Sequence, residues 1–391
     1  MKKTNIYENE NKNVMKPNHN LYEFISAAAV IFLLFMASLL TFAGKDREYS
    51  ENENRTLASK PVFSFTSITD GKFMDDTDAY LSDQFVFRDA LVKTRTNIDV
   101  FLGKREINGV YIGKKHYLFE EPSVYNETRV RKTINTMNGI SAKYGEIRSY
   151  VAIAPNSTEI ITDYLPANAP VQNQTEQIGK VYSLLNGYTC IDICTPLKNA
   201  ENPEDLYYKT DHHWTADAVD IAYRRICESM QLDANAYQYN KLAVTNEFQG
   251  TLASSSGIFS ASDTIYVPTC PSDIMYRVSY VNEGKTCTTV FDQSKLQEKS
   301  KYDVFFGGNF AQVIIETNSS SDRVLMVIKD SYANSLIPLL IPHFKTIVVV
   351  DPRYYSDNLN QIIEREEVTD ILWVYNANTF MNDTSISGKL S

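Results

Sequence analysis

The chain has 391 residues, an ordinary globular composition and a net charge of −10 at neutral pH, enough for one large folded domain with an elaboration, or for two smaller ones. The acidic balance and the lack of a basic stripe argue against nucleic acid as a partner, because binding phosphates requires clustered lysine and arginine. Its five cysteines show no Cys-x-x-Cys or Cys/His ligand spacing, which argues against a structural zinc site.

The N-terminal region predicts one membrane-spanning helix. The twenty residues from Phe24 to Ala43 carry no charge, and at about 1.5 Å per residue they span the hydrocarbon core of a bilayer. The long lead and long apolar run favour an uncleaved anchor in membrane lipid over a signal peptide. Lysines precede the run, so the positive-inside bias places the N-terminus in the cytoplasm and the rest of the chain outside. We therefore predict a cytoplasmic tail (1–20), a transmembrane helix (21–44), a polar tether (45–70) and a folded domain (71–391).

Strand and helix patterns alternate through the folded domain. Apolar runs predict strands at 149–154, 189–193, 304–309 (ending in a glycine turn), 324–328, 346–350 and 371–375. Apolar residues at helical spacing predict helices at 126–143, 176–185, after Thr215, 333–341 and 359–366. Residues 240–300 carry short alternating runs and are predicted to be an inserted segment. Strands that are apolar throughout and alternate with helices are typical of an α/β fold with a mostly parallel sheet flanked by helices.

Two distant stretches carry side chains suited to nucleophilic catalysis. Asp211, His212 and His213 are adjacent in a chain with only five histidines. Asp211 and His213 project together from an extended segment, so the carboxylate can orient the imidazole as a general base. Ser331 follows the apolar strand 324–328, at the position where α/β enzymes expose nucleophiles. Together these residues predict an Asp211–His213–Ser331 acyl-transfer site.

Several further residues are candidates for contact with substrate. Backbone N–H groups near Ser331 and at Gly308, with the Asn309 side chain, are suitable donors for a developing oxyanion. Arg353 follows the strand 346–350 and should lie on the same carboxyl edge of the sheet, where it could hold a polar or anionic group. The remaining members of the predicted substrate-binding set border the catalytic pair: Tyr208, Lys209, His212 and Trp214.

Structural roles compete with each of these assignments. A serine after a strand is usually a turn or capping residue, Asp211 could be a cap, and Arg353 could form a structural ion pair with an aspartate. An Asp-His-His metal site is a further alternative, but no additional ligand follows at a fixed spacing. We therefore predict neither a metal nor a cofactor.

The stretch Tyr208–Thr215 resembles the signature of the DHHW proteins, relatives of the SGNH-hydrolase-like alginate O-acetylation proteins. The supporting blocks are Ser50–Arg55, Asp83–Asp89, Asn108–Tyr111, Lys329–Tyr332 and Asp351–Tyr354. The resemblance implies an SGNH-like fold with permuted motif order and catalytic roles for Asp211, His213 and Ser331. It also implies acetyl-ester chemistry on an exported polysaccharide, with the acetyl group supplied by a membrane-embedded acyltransferase of the MBOAT type. Lys329 stands where ordinary SGNH enzymes have glycine, so the turn at the nucleophile should differ.

The predicted function is a membrane-anchored, extracytoplasmic O-acetyltransferase or acetylesterase that acts on a cell-surface or exported polysaccharide through an acyl-serine intermediate. The residues alone do not decide between water and a sugar hydroxyl as acceptor. The alternative is a non-catalytic glycan-binding or assembly factor of a polysaccharide acetylation complex.

Overall fold

The computed structural model describes residues 19–50, 55–269 and 274–390, with side chains from residue 22 onward. Most of the predicted cytoplasmic tail, and Cys270, lie outside the described residues. The described residues divide into two compact units, one formed by residues 19–50 with Arg55–Leu91, the other by the described residues from Val92 onward.

The first unit contains the apolar N-terminal helix. Its elements are α1 (His19–Ala43), β1 (Tyr49–Ser50), β2 (Arg55–Thr56), α2 (Phe65–Thr69), α3 (Lys72–Gln84) and the start of α4 (Arg88–Phe101). Within α1, the 22 residues Tyr22–Ala43 have a mean hydropathy of 2.4, and they form the one helix among the described residues that is long and apolar enough to cross a membrane. In the same unit, Arg55 of β2 donates to both carboxylate oxygens of Asp83 in α3, at 2.9 and 2.6 Å.

The second unit is built on a large, mostly parallel sheet. Its strands are β3 (Glu106–Ile107), β4 (Val110–Ile112), β5 (Leu118–Glu120), β6 (Arg148–Ala154), β7 (Thr189–Ile191), β8 (Asn240–Phe248), β9 (Asp263–Thr269), β10 (Tyr276–Tyr280), β11 (Lys285–Cys287), β12 (Gln312–Thr317), β13 (Val324–Lys329), β14 (Thr346–Val350) and β15 (Asp370–Asn376). Among the described residues the main sheet has eight strands in the order β11-β10-β12-β14-β13-β15-β6-β7. The strands from β14 to β7 pair in parallel, and β12, β10 and β11 extend the sheet by antiparallel pairing.

Helices cover both faces of this sheet. They are α5 (Glu127–Lys143), α6 (Ser157–Ile160), α7 (Gln174–Leu184), α8 (Cys194–Lys198), α9 (Ala216–Met230), α10 (Thr251–Ser256), α11 (Ala333–Leu340), α12 (Leu359–Arg365), α13 (Ala377–Asn382) and α14 (Ser385–Lys389). Because successive strand residues point to opposite faces, Leu325 and Val327 of β13 join the core that includes α9 and α11. Met326 and Ile328 join the core that includes α5 and α12. This double burial explains why β13 is apolar along its whole length.

The register brings the carboxyl ends of three central strands side by side. Ile328 of β13 pairs with Val350 of β14 on one side and with Trp373 of β15 on the other. Residues that follow these strands therefore share one edge of the sheet, which is where ligands bind in open α/β sheets.

Within the predicted segment 304–309 the strand is wrong, whereas the glycine turn at its end is present. Residues Lys301–Val304 form a 3₁₀ turn, and Phe306, Gly307 and Gly308 all have positive φ angles of 66°, 79° and 123°. Three successive residues with positive φ turn the backbone instead of extending it. The segment predicted as an insertion contributes a separate β8–β9 hairpin, but it also supplies β10 and β11 to the main sheet.

Candidate active site

The Asp-His-His segment lies on a tight loop. Tyr207 and Trp214 face each other in an isolated antiparallel bridge, and the Tyr208 N–H donates to the His213 carbonyl at 3.3 Å. The fully buried Trp214 indole donates to the Tyr332 carbonyl at 3.1 Å and to the Ser335 hydroxyl at 3.0 Å. These bonds fix the loop against the turn and helix that follow β13, although more than a hundred residues separate the two in sequence.

Asp211 is buried and accepts four hydrogen bonds. One carboxylate oxygen accepts from the His213 backbone N–H at 3.0 Å and from its Nδ1–H at 2.6 Å. The other accepts from the Thr251 N–H at 2.8 Å and from its hydroxyl at 3.0 Å. Burial opposes ionisation, but the neighbouring imidazoles of His212 and His213 and these hydrogen bonds hold the pKa of Asp211 well below its usual range. The carboxylate is therefore ionised and fixed in orientation.

His213 connects this carboxylate to the serine. Because Nδ1 donates its proton to Asp211, Nε2 of the neutral ring is the acceptor, and it lies 2.8 Å from the Ser331 hydroxyl oxygen. The ring stacks on Tyr302, with centroids 3.8 Å apart and planes at 12°. Burial, together with the neighbouring His212, lowers the pKa of His213 to about 4, although Asp211 acts in the opposite direction. At neutral pH the imidazole is thus neutral and able to accept a proton.

Ser331 lies on the turn between β13 and α11. The preceding Asp330 is fully buried, and its carboxylate accepts from the Tyr332 N–H at 2.9 Å and from the Asn376 N–H at 2.8 Å. Asp330 thereby fastens the turn to the carboxyl end of β15. The Ser331 side chain is half-buried at the shared edge of the sheet.

Lys329 fixes the amide of Asn309. Its buried ammonium donates to the Asn309 Oδ1 at 2.8 Å and to Asp351 at 3.1 Å, and the Asn334 amide also donates to the same Oδ1, at 3.2 Å. With its oxygen held by two donors, Asn309 keeps its NH₂ group for another acceptor, and none of the described residues accepts from it. Lys329 stands where ordinary SGNH enzymes have glycine, and in this structure its ammonium orients the Asn309 amide.

The backbone donors predicted near the serine differ in their availability. The Gly308 N–H donates to the Phe305 carbonyl at 3.3 Å, so it is already engaged. No acceptor within the part of the chain that the structure describes takes the Ser331 N–H.

Arg353 forms a structural ion pair with an aspartate, which was the alternative to the predicted contact with substrate. Its Nε and Nη2 donate to the two oxygens of Asp351, at 2.9 and 2.6 Å. Asp351 therefore bridges Arg353 and Lys329. The Arg353 side chain remains 32% exposed.

The other predicted substrate contacts fall into two groups. Tyr208 and Trp214 are 3% and 0% exposed, so a direct contact with substrate is contradicted; their rings position the loop by packing in the core. Lys209 is half-buried, with its ammonium 5.4 Å from the centre of the Tyr117 ring. His212 is half-buried beside the catalytic pair, and its Nδ1 lies 2.7 Å from the Thr251 hydroxyl.

Sequence reasoning missed the contribution of Gly250, Thr251 and Tyr302. A Cβ atom on Gly250 would lie 2.2 Å from Oδ2 of Asp211, so this backbone can pack against the carboxylate only without a side chain. Thr251 opens α10 and supplies two of the four donors to Asp211. A glycine and a threonine at the start of a short helix are the signal that could have indicated Gly250 and Thr251, whereas no local signal indicated Tyr302.

The Asp-His-His cluster was also weighed as a metal site. Ligand atoms of Asp211, His212 and His213 lie within 4.8 Å of one another. Both oxygens of the carboxylate already accept two hydrogen bonds each, and Nδ1 of His213 is turned toward one of them as a donor. A cation there would replace the proton that orients the ring, so the hydrogen bonding fits a proton relay better than a metal.

The fold and the hydrogen-bonded Asp–His–Ser arrangement define an α/β protein with a serine triad-like site at the carboxyl edge of its sheet. The family model described as DHHW protein matches residues 107–350. The chain belongs to this DHHW family.

Similar proteins extend this relationship. A curated relative, the probable alginate O-acetylase AlgJ of Pseudomonas syringae pv. tomato, is 20% identical over 212 residues, 51% of this chain and 54% of that protein. The chain thus spans about half the length of the curated relative it matches. A crystal structure of a DHHW family protein from Eubacterium siraeum superposes with a TM-score of 0.62 at 22% identity, covering 73% of this chain and 97% of that one. Bacillus cereus PatB1, solved with a sulfonyl adduct, gives 0.62 at 19% identity, covering 73% and 100%. Both structures share the fold.

Proposed function

We propose that this chain is a membrane-anchored, extracytoplasmic O-acetyltransferase that modifies a cell-surface or exported polysaccharide through an acetyl-Ser331 intermediate. The observation that carries the proposal is the continuous contact from Asp211 through His213 to the Ser331 hydroxyl, with distances of 2.6 and 2.8 Å. A serine needs a base to take its proton and a carboxylate to orient that base.

The first half-reaction loads the serine. The Ser331 oxygen attacks the carbonyl carbon of an acetyl ester while Nε2 of His213 takes the hydroxyl proton. The bond to the donor's alcohol oxygen then breaks, and the imidazolium returns the proton to that leaving oxygen. The Ser331 N–H and the NH₂ group of Asn309 are the donors proposed for the negative oxygen that develops on the carbonyl.

The second half-reaction transfers the acetyl group from Ser331 to the sugar. A sugar hydroxyl attacks the acetyl carbon and gives its proton to His213; the Ser331 oxygen leaves and recovers that proton. Throughout, the ionised Asp211 stabilises the transient imidazolium without itself being protonated. In a transferase the sugar hydroxyl attacks the acetyl carbon, whereas in an esterase water does, so a transferase must keep water away from acetyl-Ser331.

Membrane anchoring is proposed on the basis of α1, and a polysaccharide substrate on the basis of the relatives. A helix of this length and apolarity supports anchoring in membrane lipid, with the N-terminus in the cytoplasm and the SGNH-like domain of permuted motif order outside. The name of the AlgJ relative supports acetylation of a polysaccharide. An acyltransferase of the MBOAT type embedded in the same membrane is the proposed source of the acetyl group. The tail, tether and folded-domain boundaries predicted from sequence are part of this proposal.

The reaction class can be tested with the full-length chain in detergent. We expect it to hydrolyse p-nitrophenyl acetate slowly and, when oligosaccharides are added, to produce acetylated sugar detectable by mass spectrometry. Hydrolysis without any sugar product would favour an esterase. Equal hydrolysis by the wild-type and Ser331→Ala proteins would leave only a non-catalytic glycan-binding or assembly role.

The pH dependence should follow His213. A pKa lowered to about 4 means that the neutral, proton-accepting ring persists as the pH falls below the usual value of about 6.5, and Asp211 stays ionised over that range. We expect kcat/KM for ester hydrolysis to be constant from neutral pH to about 5 and to fall about tenfold per pH unit below about 4. A pH–rate profile whose acidic limb is centred near 6.5 would contradict the burial of the base.

A further inference from the structure

A polar cleft of 760 Å³ lies beside the nucleophile turn. Its walls include Glu120, Glu121, Arg353, Asn378 and Thr379, which follow or end β5, β14 and β15. The N–H of Asn378 donates to the Asn376 Oδ1 at 2.9 Å, and the Asn376 N–H donates at 2.8 Å to the carboxylate of Asp330, the residue immediately before Ser331. Two hydrogen bonds thus connect the wall of the cleft to the turn that carries Ser331, which is not itself one of the lining residues.

The polar groups on the wall are held in place by the fold. The buried Asn378 amide donates to Oε2 of Glu120 at 2.8 Å and to the Glu121 carbonyl at 3.0 Å. Its own Oδ1 accepts from the Ser123 N–H at 2.8 Å. Asn156 is a second amide donor to the same Glu120 oxygen, at 3.0 Å. Groups fixed in this way recognise a ligand without losing side-chain freedom on binding.

Two fixed groups on this wall keep unused hydrogen-bonding capacity. The amides of Asn156 and Asn378 both donate to Oε2 of Glu120, whereas no residue described in the structure donates to its Oε1. Arg353 uses Nε and Nη2 on Asp351, and within the described ranges its Nη1 has no acceptor. A fixed acceptor and a fixed donor match the hydroxyl groups of a sugar, each of which both donates and accepts.

An exposed aromatic ring stands next to Arg353. Tyr354 is 55% exposed, and the Arg353 guanidinium lies 5.6 Å from the centre of its ring. A flat apolar face with a polar tip suits the face of a sugar ring. Tyr354 follows the lining residue Arg353 and is not itself a lining residue, so its ring is suited to a sugar unit that extends beyond the cleft.

The charge of the cleft distinguishes between classes of carbohydrate. Glu120 and Glu121 are acidic, the cation of Arg353 is paired with Asp351, and Lys389 donates to the Arg353 carbonyl at 2.7 Å. A polyanionic glycan would bring its carboxylates against the two glutamates without an excess of free cations to compensate.

We propose that this cleft is the acceptor subsite and that it binds an uncharged, hydroxyl-rich oligosaccharide, presenting a hydroxyl to acetyl-Ser331. The acceptor role rests on the proposed function, whereas the binding of carbohydrate does not require turnover. The two can therefore fail separately.

The test measures binding and turnover on the same proteins. Full-length chain in detergent is titrated with cellotetraose, as the uncharged probe, and with tetramannuronate, as the anionic one. Tyr354→Ala removes the ring, and Glu120→Gln keeps the shape of the side chain while placing an NH₂ group where the free oxygen was. We expect each to weaken cellotetraose binding, and to raise its KM as acceptor, by about tenfold, the worth of one good contact.

Controls keep the result interpretable. Tyr266→Ala and Glu247→Gln change a half-exposed tyrosine and an exposed glutamate on the β8–β9 hairpin, outside the cleft, and should alter binding less than twofold. Tyr354→Phe should retain most of the binding, because it keeps the ring. Thermal melting shows whether each variant is folded.

The outcomes separate the two proposals. Cellotetraose binding that depends on Tyr354 and Glu120, without any acetyl transfer, would support the cleft and overturn the enzyme. Acetyl transfer with an unchanged acceptor KM in both variants would overturn the cleft and leave the enzyme. Failure of cellotetraose to bind, or tighter binding of tetramannuronate, would also overturn the proposed subsite.

Discussion

Ser331→Ala is expected to abolish acetyl transfer, with kcat/KM reduced by at least about 10⁴-fold, because the attacking oxygen is removed. His213→Gln should cost about as much, since the hydroxyl at 2.8 Å would lose its base. Residues that act as one unit are strongly non-additive, so the double variant should be no slower than the worse of the two single variants.

Steady-state hydrolysis of p-nitrophenyl acetate by matched preparations provides the measurement. Ser255→Ala, which changes an exposed serine at the end of α10, is the control and should retain full activity. Effects of Ser331→Ala and His213→Gln that multiply in the double variant would show that the two side chains act independently and would rule out the relay.

The second large effect is expected from Asp211→Asn, which should lower kcat/KM by about 10⁴-fold. An amide can donate as well as accept, so it no longer forces the His213 proton onto Nδ1, and Nε2 ceases to be the acceptor for the serine. The single amide oxygen also cannot satisfy the donors that now bind both carboxylate oxygens. The kinetics should therefore be read together with thermal melting.

Gly250→Ala perturbs the same carboxylate without removing it. The added methyl group would lie 2.2 Å from Oδ2 of Asp211, so the carboxylate or the α10 backbone must shift. We expect a loss of activity intermediate between those of the wild-type protein and Asp211→Asn. Wild-type rates in both variants would mean that the carboxylate does not orient the base.

The central sheet was predictable because its strands are buried on both faces. β6, β13, β14 and β15 appear in the sequence as continuous apolar runs close to their observed bounds. The meeting of Asp211, His213 and Ser331 at one site was predicted from the combination of an Asp-x-His pair and a serine at the carboxyl end of a strand, although each residue alone had a structural alternative.

Other parts depend on contacts that local sequence does not encode. Phe305 and Phe306 are apolar and β-prone, yet the positive φ values that begin at Phe306 end any strand there. β12 was not predicted, and its place between β10 and β14 is set by tertiary pairing. Thr251 reaches Asp211 from 40 residues away, a proximity that no spacing rule gives.

Local sequence also does not show which side chains near the catalytic pair are buried. Tyr208 and Trp214 border the catalytic pair in sequence, but a closed loop turns their rings inward. Lys329 was noticed as a departure from glycine, and only its hydrogen bonds to Asn309 and Asp351 show how a buried ammonium is satisfied and used.

The acetyl-Ser331 intermediate itself provides the most direct test. Full-length protein is mixed with p-nitrophenyl acetate, quenched in acid during turnover, digested and analysed by mass spectrometry. The relay from Asp211 through His213 predicts an acetyl group on Ser331 in the wild-type protein, and none on that peptide in His213→Gln. Turnover with Ser331 unmodified, or equal acetylation of Ser331 in the His213→Gln protein, would contradict it.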